Sequence, residues 1–199
     1  MLQIVTRYCR GDLAGAEKRF MSRLKFFDDP GVRRGAGVAE PAFFFASLNA
    51  WTLGRADVAR ERVTQMMAAL NESNRYNVAC SVCFAARVRF ALREYEQAEA
   101  LAARAVDLLE KNQFGYMAEA ARCGLGLTRA QLGRAAEGIA LIRKGIAGLI
   151  EVGGRQPISE CTTFLAAAQE RSGAIIEALE TVGRRSRRIP TKYHTGPRL

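Results

Sequence analysis

Apolar residues recur at helical spacing along most of the chain, and short polar or glycine-bearing segments break the runs at regular intervals. The pattern predicts helix pairs over 41–53 with 56–70, 77–92 with 95–111, 116–132 with 135–152, and 157–171 with 174–183. A partial first pair covers 2–9 and 12–27. The breakers are DDPGVRRGAGVAEP (28–41), NESN (71–74), NQFG (112–115) and GGRQP (153–157). The first of these is the longest and richest in glycine, and so is expected to be the most mobile.

The breaks belong to a repeat. GDLAGA (11–16), GRADVA (54–59), REYEQA (93–98), GRAAEG (133–138) and GAIIEA (173–178) each read as a turn leading into an amphipathic helix. Their last residues, Ala16, Ala59, Ala98, Gly138 and Ala178, follow one another at intervals of 43, 39, 40 and 40 residues. Upstream, Leu53-Gly54, Leu92-Arg93, Leu132-Gly133 and Ser172-Gly173 mark where one helix ends. Glycine closes a helix cheaply there because it tolerates the left-handed conformation. Seven residues before each of those break positions stands a second small residue: Ser47, Ala86, Gly126 and Ala166. Small residues on two successive helices let their backbones approach, as a tight antiparallel pair requires. One such pair buries only one face of each helix, so a stable core requires stacking.

Composition agrees. The chain has 199 residues, 49% hydrophobic and 25% charged, with 33 Ala and only 5 Pro. That is a globular, helix-favouring mix, which excludes disorder and argues against a β-sandwich or barrel. No window approaches 18 apolar residues, so no membrane span is expected, and MLQIVTRYCR lacks the apolar stretch of a secretory signal. Five Cys without framework spacing fit a reducing cytoplasm. The net charge of +10 is unevenly placed. Residues 1–182 hold all 20 acids and 24 bases, whereas GRRSRRIPTKYHTGPRL (183–199) holds six bases and no acid. The reading is therefore a repeat domain over 1–182 and a flexible basic tail over 183–199. Like charges within one turn and two prolines work against helix in the tail.

The small residue on the first helix, the Gly- or Asp-bearing turn and the Ala on the second helix resemble tetratricopeptide-type repeats. The period of about 40 is longer than the usual 34 of that family, and the extra residues fall in the loops. AEAARCGLGLTRAQLGRAAEGIALIRKGIAGLIEVGGR (118–155) and CRGDLAGAEKRF (9–20) are similar to the repeat regions of large bacterial signalling proteins. Those carry a class III adenylate cyclase or a regulatory ATPase module ahead of the repeats. The 199 residues hold no such module, and the chain reads as a fragment, a stand-alone remnant or a short relative of such proteins. The resemblance spans roughly 9–182. It implies an all-α, right-handed solenoid of about five antiparallel helix pairs acting as a non-catalytic protein-interaction scaffold in signalling.

Candidate chemistry is sparse. His194, the single histidine, lies in the tail and anchors no catalytic constellation. Cys80 and Cys83 form a CxxC pair, but Cys9, Cys123 and Cys161 are isolated, so neither a zinc site nor a thioredoxin-like site is expected; the pair reads as small buried hydrophobes. GVRRGAG (31–37) and GLGLTRAQLG (124–133) do not match a phosphate loop. No cofactor, metal or catalytic residue is assigned. The binding surface is expected on the first helices, at Phe44, Leu48 and Trp51, then Cys83, Arg87 and Phe90, then Cys123, Leu127 and Ala130, then Thr163 and Glu170. The set is mostly apolar with Arg87 as its strong cation, which suits a hydrophobic segment such as a helix of a partner or parent protein. The alternative is binding of nucleic acid or an acidic surface through Arg184, Arg185, Arg187 and Arg188. Self-association is expected at the first pair, where Leu13, Phe20, Leu24 and Phe27 form a face that a longer first helix would cover.

Overall fold

The computed structural model describes residues 2–29, 39–70 and 73–188. Among these it contains eleven helices and no strand. In chain order they are α1 Leu2–Cys9, α2 Leu13–Met21, α3 Leu24–Asp28, α4 Ala39–Thr52, α5 Ala56–Ala68, α6 Arg75–Ala91, α7 Tyr95–Lys111, α8 Gly115–Gln131, α9 Ala135–Glu151, α10 Ile158–Arg171 and α11 Ile175–Arg188. They form a solenoid of antiparallel helix pairs. Each helix packs on its partner in the pair, and the first helices stack: α4 on α6, and α8 on α10. Three adjoining apolar clusters run the length of the stack, beginning around Phe20, Phe27 and Phe43 and ending around Ile142, Leu149 and Cys161.

One turn geometry recurs at seven helix ends. Gly11, Gly54, Arg93, Gln113, Gly133, Gly153 and Gly173 all have positive φ, between 60° and 85°. At each, the residue after it donates its N–H to the carbonyl five residues back, as Arg55 does to Ala50 (2.9 Å) and Glu94 to Arg89 (3.0 Å). This double closure satisfies carbonyls that a helix end would otherwise leave bare. Arg93 and Gln113 do without glycine what glycine does elsewhere. Arg93→Gly should therefore raise stability by about 0.5–1 kcal/mol, read as a higher denaturation midpoint. A lower midpoint would mean that φ of 63° is not strained there.

The small-residue columns are the contact lines. Ser47, Ala86 and Ala166 are buried, as are Ala16, Ala59 and Ala98. Approach is tightest between α8 and α9, where a Cβ on Gly126 would lie 2.6 Å from the carbonyl oxygen of Gly138.

Ion pairs tie successive units at one repeated place. The residue after the small position on each second helix reaches the residue after the turn of the next unit. Glu17 meets Arg55 (3.5 Å), Arg60 meets Glu94 (2.5 Å), and Glu99 meets Arg134 (2.5 Å). The sign alternates from unit to unit. At the fourth place the residues are Ile139 and Ala174.

Three expectations need correction. Helix 12–27 is broken at Ser22-Arg23 into α2 and α3. The face carrying Phe20 and Phe27 is not open: both are 1% exposed, clustered with Ile4 of α1 and with Phe43, while Leu13 and Leu24 are half-buried. Ile4, itself 1% exposed, joins the mutually packed rings of Phe20, Phe27 and Phe43 there. At the other end, α11 continues past residue 183 to Arg188, so the boundary drawn at 182 falls inside a helix. Its Glu177, in the first turn, complements the helix dipole. Residues 30–38, most of the loop read as mobile, and 189–199 lie outside the described residues.

Candidate partner-binding groove

The first helices do not stack evenly. α6 and α8 touch only slightly, whereas α8 and α10 pack closely. The gap is a groove of about 1370 Å³. Its walls come from α6, α8 and α10, its open end from Glu40 and Pro41 of α4, and its floor includes Ala102 and Ala105 of α7. Alanines make this possible: larger side chains at these places would fill the gap.

Arg87, Phe90 and Leu127 line the groove, with Cys83 and Thr163. Phe44 does not reach it. Phe44 is 2% exposed, and its ring stacks on Phe84 at 4.5 Å and lies under the Arg87 guanidinium at 5.1 Å, so it supports the wall from behind. Leu48 is half-buried against the N-terminal core. Trp51 and Glu170 are exposed outside the groove, and Cys123 and Ala130 are buried beneath its wall. The cause of these misses is common. Leu48, Trp51, Ala130 and Glu170 sit toward the ends of first helices, while the groove is lined mostly from the first and middle turns, with Phe90 of α6 and Thr128 of α8 its members from last turns.

Arg87 is not a spare cation. It pairs with Glu160, 73 residues away, joining α6 to α10 across the groove. Both stay about half exposed, at 41% and 45% of the side chain, so the pair is a solvated strap and not a buried one. Cys80 is buried and Cys83 half-buried on one wall. Burial pushes the Cys83 thiol up to about 11, which keeps it protonated and unreactive near neutral pH. Among the described residues no group of His, Cys, Asp or Glu is placed to hold a metal ion, and no helix is long and apolar enough to cross a membrane.

Sequence reasoning missed the polar end of the groove. Glu40, Tyr76, Tyr116, Gln156 and Glu160 line it, all at or near the starts of first helices. Tyr76 is 46% exposed and Tyr116 37%. The Tyr76 ring packs edge-on to Phe114 at 5.1 Å, and the Tyr116 hydroxyl faces Gln156 at 3.4 Å. The tyrosines repeat at the second position of α6 and α8, a signal that a register of the helix starts would have exposed.

No known protein family profile and no curated protein matches the chain. Solved structures do. A crystal structure of kinesin light chain-like, nearly identical TPR-like repeats from Podosopora anserina, in a single-substitution form, is similar at a TM-score of 0.64 and 15% identity, covering 92% of this chain and 90% of that one. A second structure of those repeats gives 0.63 and 14%, covering 96% and 94%. The MamA protein gives 0.52 and 16%, covering 100% and 96%. At such identities the likeness is one of fold: stacked tetratricopeptide-like helix pairs.

Proposed function

We propose that the chain is a helical-repeat scaffold that holds a segment of another protein in the groove between α6, α8 and α10. The groove itself carries this reading. At about 1370 Å³ it exceeds the roughly 300–1,000 Å³ of small-molecule sites. Its walls are largely apolar, and its Arg87–Glu160 pair is satisfied within the protein. A polypeptide segment offering aliphatic or aromatic side chains suits it, in the helix-in-groove manner. The likeness of 118–155 to repeat regions of bacterial cyclase and ATPase signalling proteins supports a place in signalling, with a parent or partner helix as the occupant. The five free thiols support a reducing, cytoplasmic setting. No residue is assigned a catalytic role.

The test is site-specific photo-crosslinking in the producing cell. A benzophenone amino acid placed at Phe90 or Leu127 should yield one discrete protein adduct, identifiable by mass spectrometry. The same group at Trp51, outside the groove, should not. Equal adducts at all three positions, or none at the groove positions, would refute the groove as the binding surface.

A further inference from the structure

Glu40 stands in the first turn of α4 at the mouth of the groove. Its Oε2 is shut off from solvent and has no hydrogen-bond partner among the described residues. A carboxylate oxygen in that position has given up water without gaining a donor, which is costly. Ser81 Oγ and Asn49 Oδ1 are also unpartnered, but neither residue lines the groove. Glu40 differs from them in lining the groove, with its side chain as a whole only partly buried.

Its neighbours suit one kind of group. Burial, and with it the nearby Glu40 charge, raises the Cys80 thiol above its ordinary value, and Tyr76 lines the groove alongside it. Tyr76 and Tyr116 both line the groove and remain partly exposed. A carboxylate and two tyrosine rings lining one groove suit an ammonium or guanidinium, through a charge-assisted hydrogen bond and the negative faces of the rings. Charge balance points the same way. Arg87 and Glu160 neutralise one another, so among the described lining residues Glu40 leaves the groove with one net negative charge.

Resting on the groove as the binding surface, we propose that its Glu40 end receives a basic side chain, lysine or arginine, of the bound protein segment, the apolar residues of that segment lying between α6 and α8. The carboxylate then gains a charged donor. Such a contact makes basic residues a condition of entry and excludes acidic segments, which would set like charges together.

Selection from a random twelve-residue phage-displayed library on the immobilised full chain tests this. Recovered peptides should share one Lys or Arg next to aliphatic or aromatic residues. Against the natural chain, a synthetic selected peptide should bind about 10–100-fold tighter than its Lys→norleucine form. Against Glu40→Gln that difference should vanish, and Glu40→Lys should prefer the peptide with Glu in place of the Lys. Thermal melting of each variant confirms that it folds, and Tyr76→Phe, which keeps the ring, should retain the basic preference. Enrichment of apolar or acidic peptides without a base, or a basic preference that survives Glu40→Gln, would overturn the cation receptor while leaving the groove as a binding surface. Failure to enrich any peptide that competes at Phe90 would overturn both.

Discussion

Replacing Gly126 by leucine should destabilise the protein by about 3 kcal/mol or more, at the upper end of what overpacking costs. The Cβ alone would lie 2.6 Å from the Gly138 carbonyl oxygen and 2.7 Å from Ile142 Cγ1. Gly138 is equally confined, with Ala130 Cβ 3.0 Å from where its own Cβ would be. Backbone therefore meets backbone at this crossing, and no flexible side chain can yield. A helix-interior glycine costs about 1 kcal/mol relative to alanine, so its presence twice at one crossing is explained by the closeness it permits. Gly124 supplies the control. It lies on the same helix with nothing within 4 Å of its Cβ position, and Gly124→Ala should stabilise by about 0.5–1 kcal/mol. Urea unfolding followed by circular dichroism measures both. Equal and small effects at 124 and 126 would mean that α8 and α9 do not cross there.

Removing the Glu17 carboxylate should cost about 3–5 kcal/mol, because it strands a buried cation. Arg62 is 4% exposed and donates to Glu17 Oε1 (2.6 Å) and Oε2 (3.0 Å) and to the Ala46 carbonyl (2.8 Å), with its guanidinium over the Phe20 ring at 4.6 Å. It is the link between the first pair and α5. Glu17→Ala leaves this charge with one carbonyl and one ring face. Glu17→Leu combined with Arg62→Met removes both charges and should recover most of the loss. Acid should imitate the single variant. Hydrogen bonds from Arg62 hold the Glu17 carboxyl below its ordinary value of 4.5. Its contribution is therefore complete above that value and disappears as pH falls through the lower value of the folded state. Denaturation midpoints across this range should fall more steeply for the natural chain than for the double variant; parallel curves would contradict the assignment.

Architecture was legible in the sequence because it is repetitive. The columns ending at Ala98 and Gly138 and the turns at Gly54, Gly133 and Gly173 place every pair from α4 to α11, and the turns need glycine for a local reason that sequence displays. What sequence does not display is the spacing between non-consecutive helices. Arg87 and Glu160 are 73 residues apart, and no periodicity announces that they meet. The gap between α6 and α8 depends on Ala102 and Ala105 of the helix behind, which read as ordinary core alanines. The groove residues expected at Leu48, Trp51 and Glu170 were displaced because a helical stripe is continuous while the groove is not. Glu40 was hidden for another reason: its segment read as loop, and Pro41 as a breaker, when proline in a first helical turn is at home.

The alternating signs of the inter-unit ion pairs act as a parity rule on the array. With Glu17 reading Arg55, Arg60 reading Glu94 and Glu99 reading Arg134, loss of a single unit would bring Glu17 to Glu94 or Arg60 to Arg134. Loss of two adjacent units would bring Glu17 to Arg134, and the match would be restored. Each exposed pair contributes only about 0.2–1 kcal/mol, too little to hold the stack together but enough to bias which neighbour a folding unit accepts. The repeats are thus not interchangeable, although their shapes nearly are. Odd and even units carry opposite faces, and order along the chain is encoded at the edge of the solenoid instead of in its core.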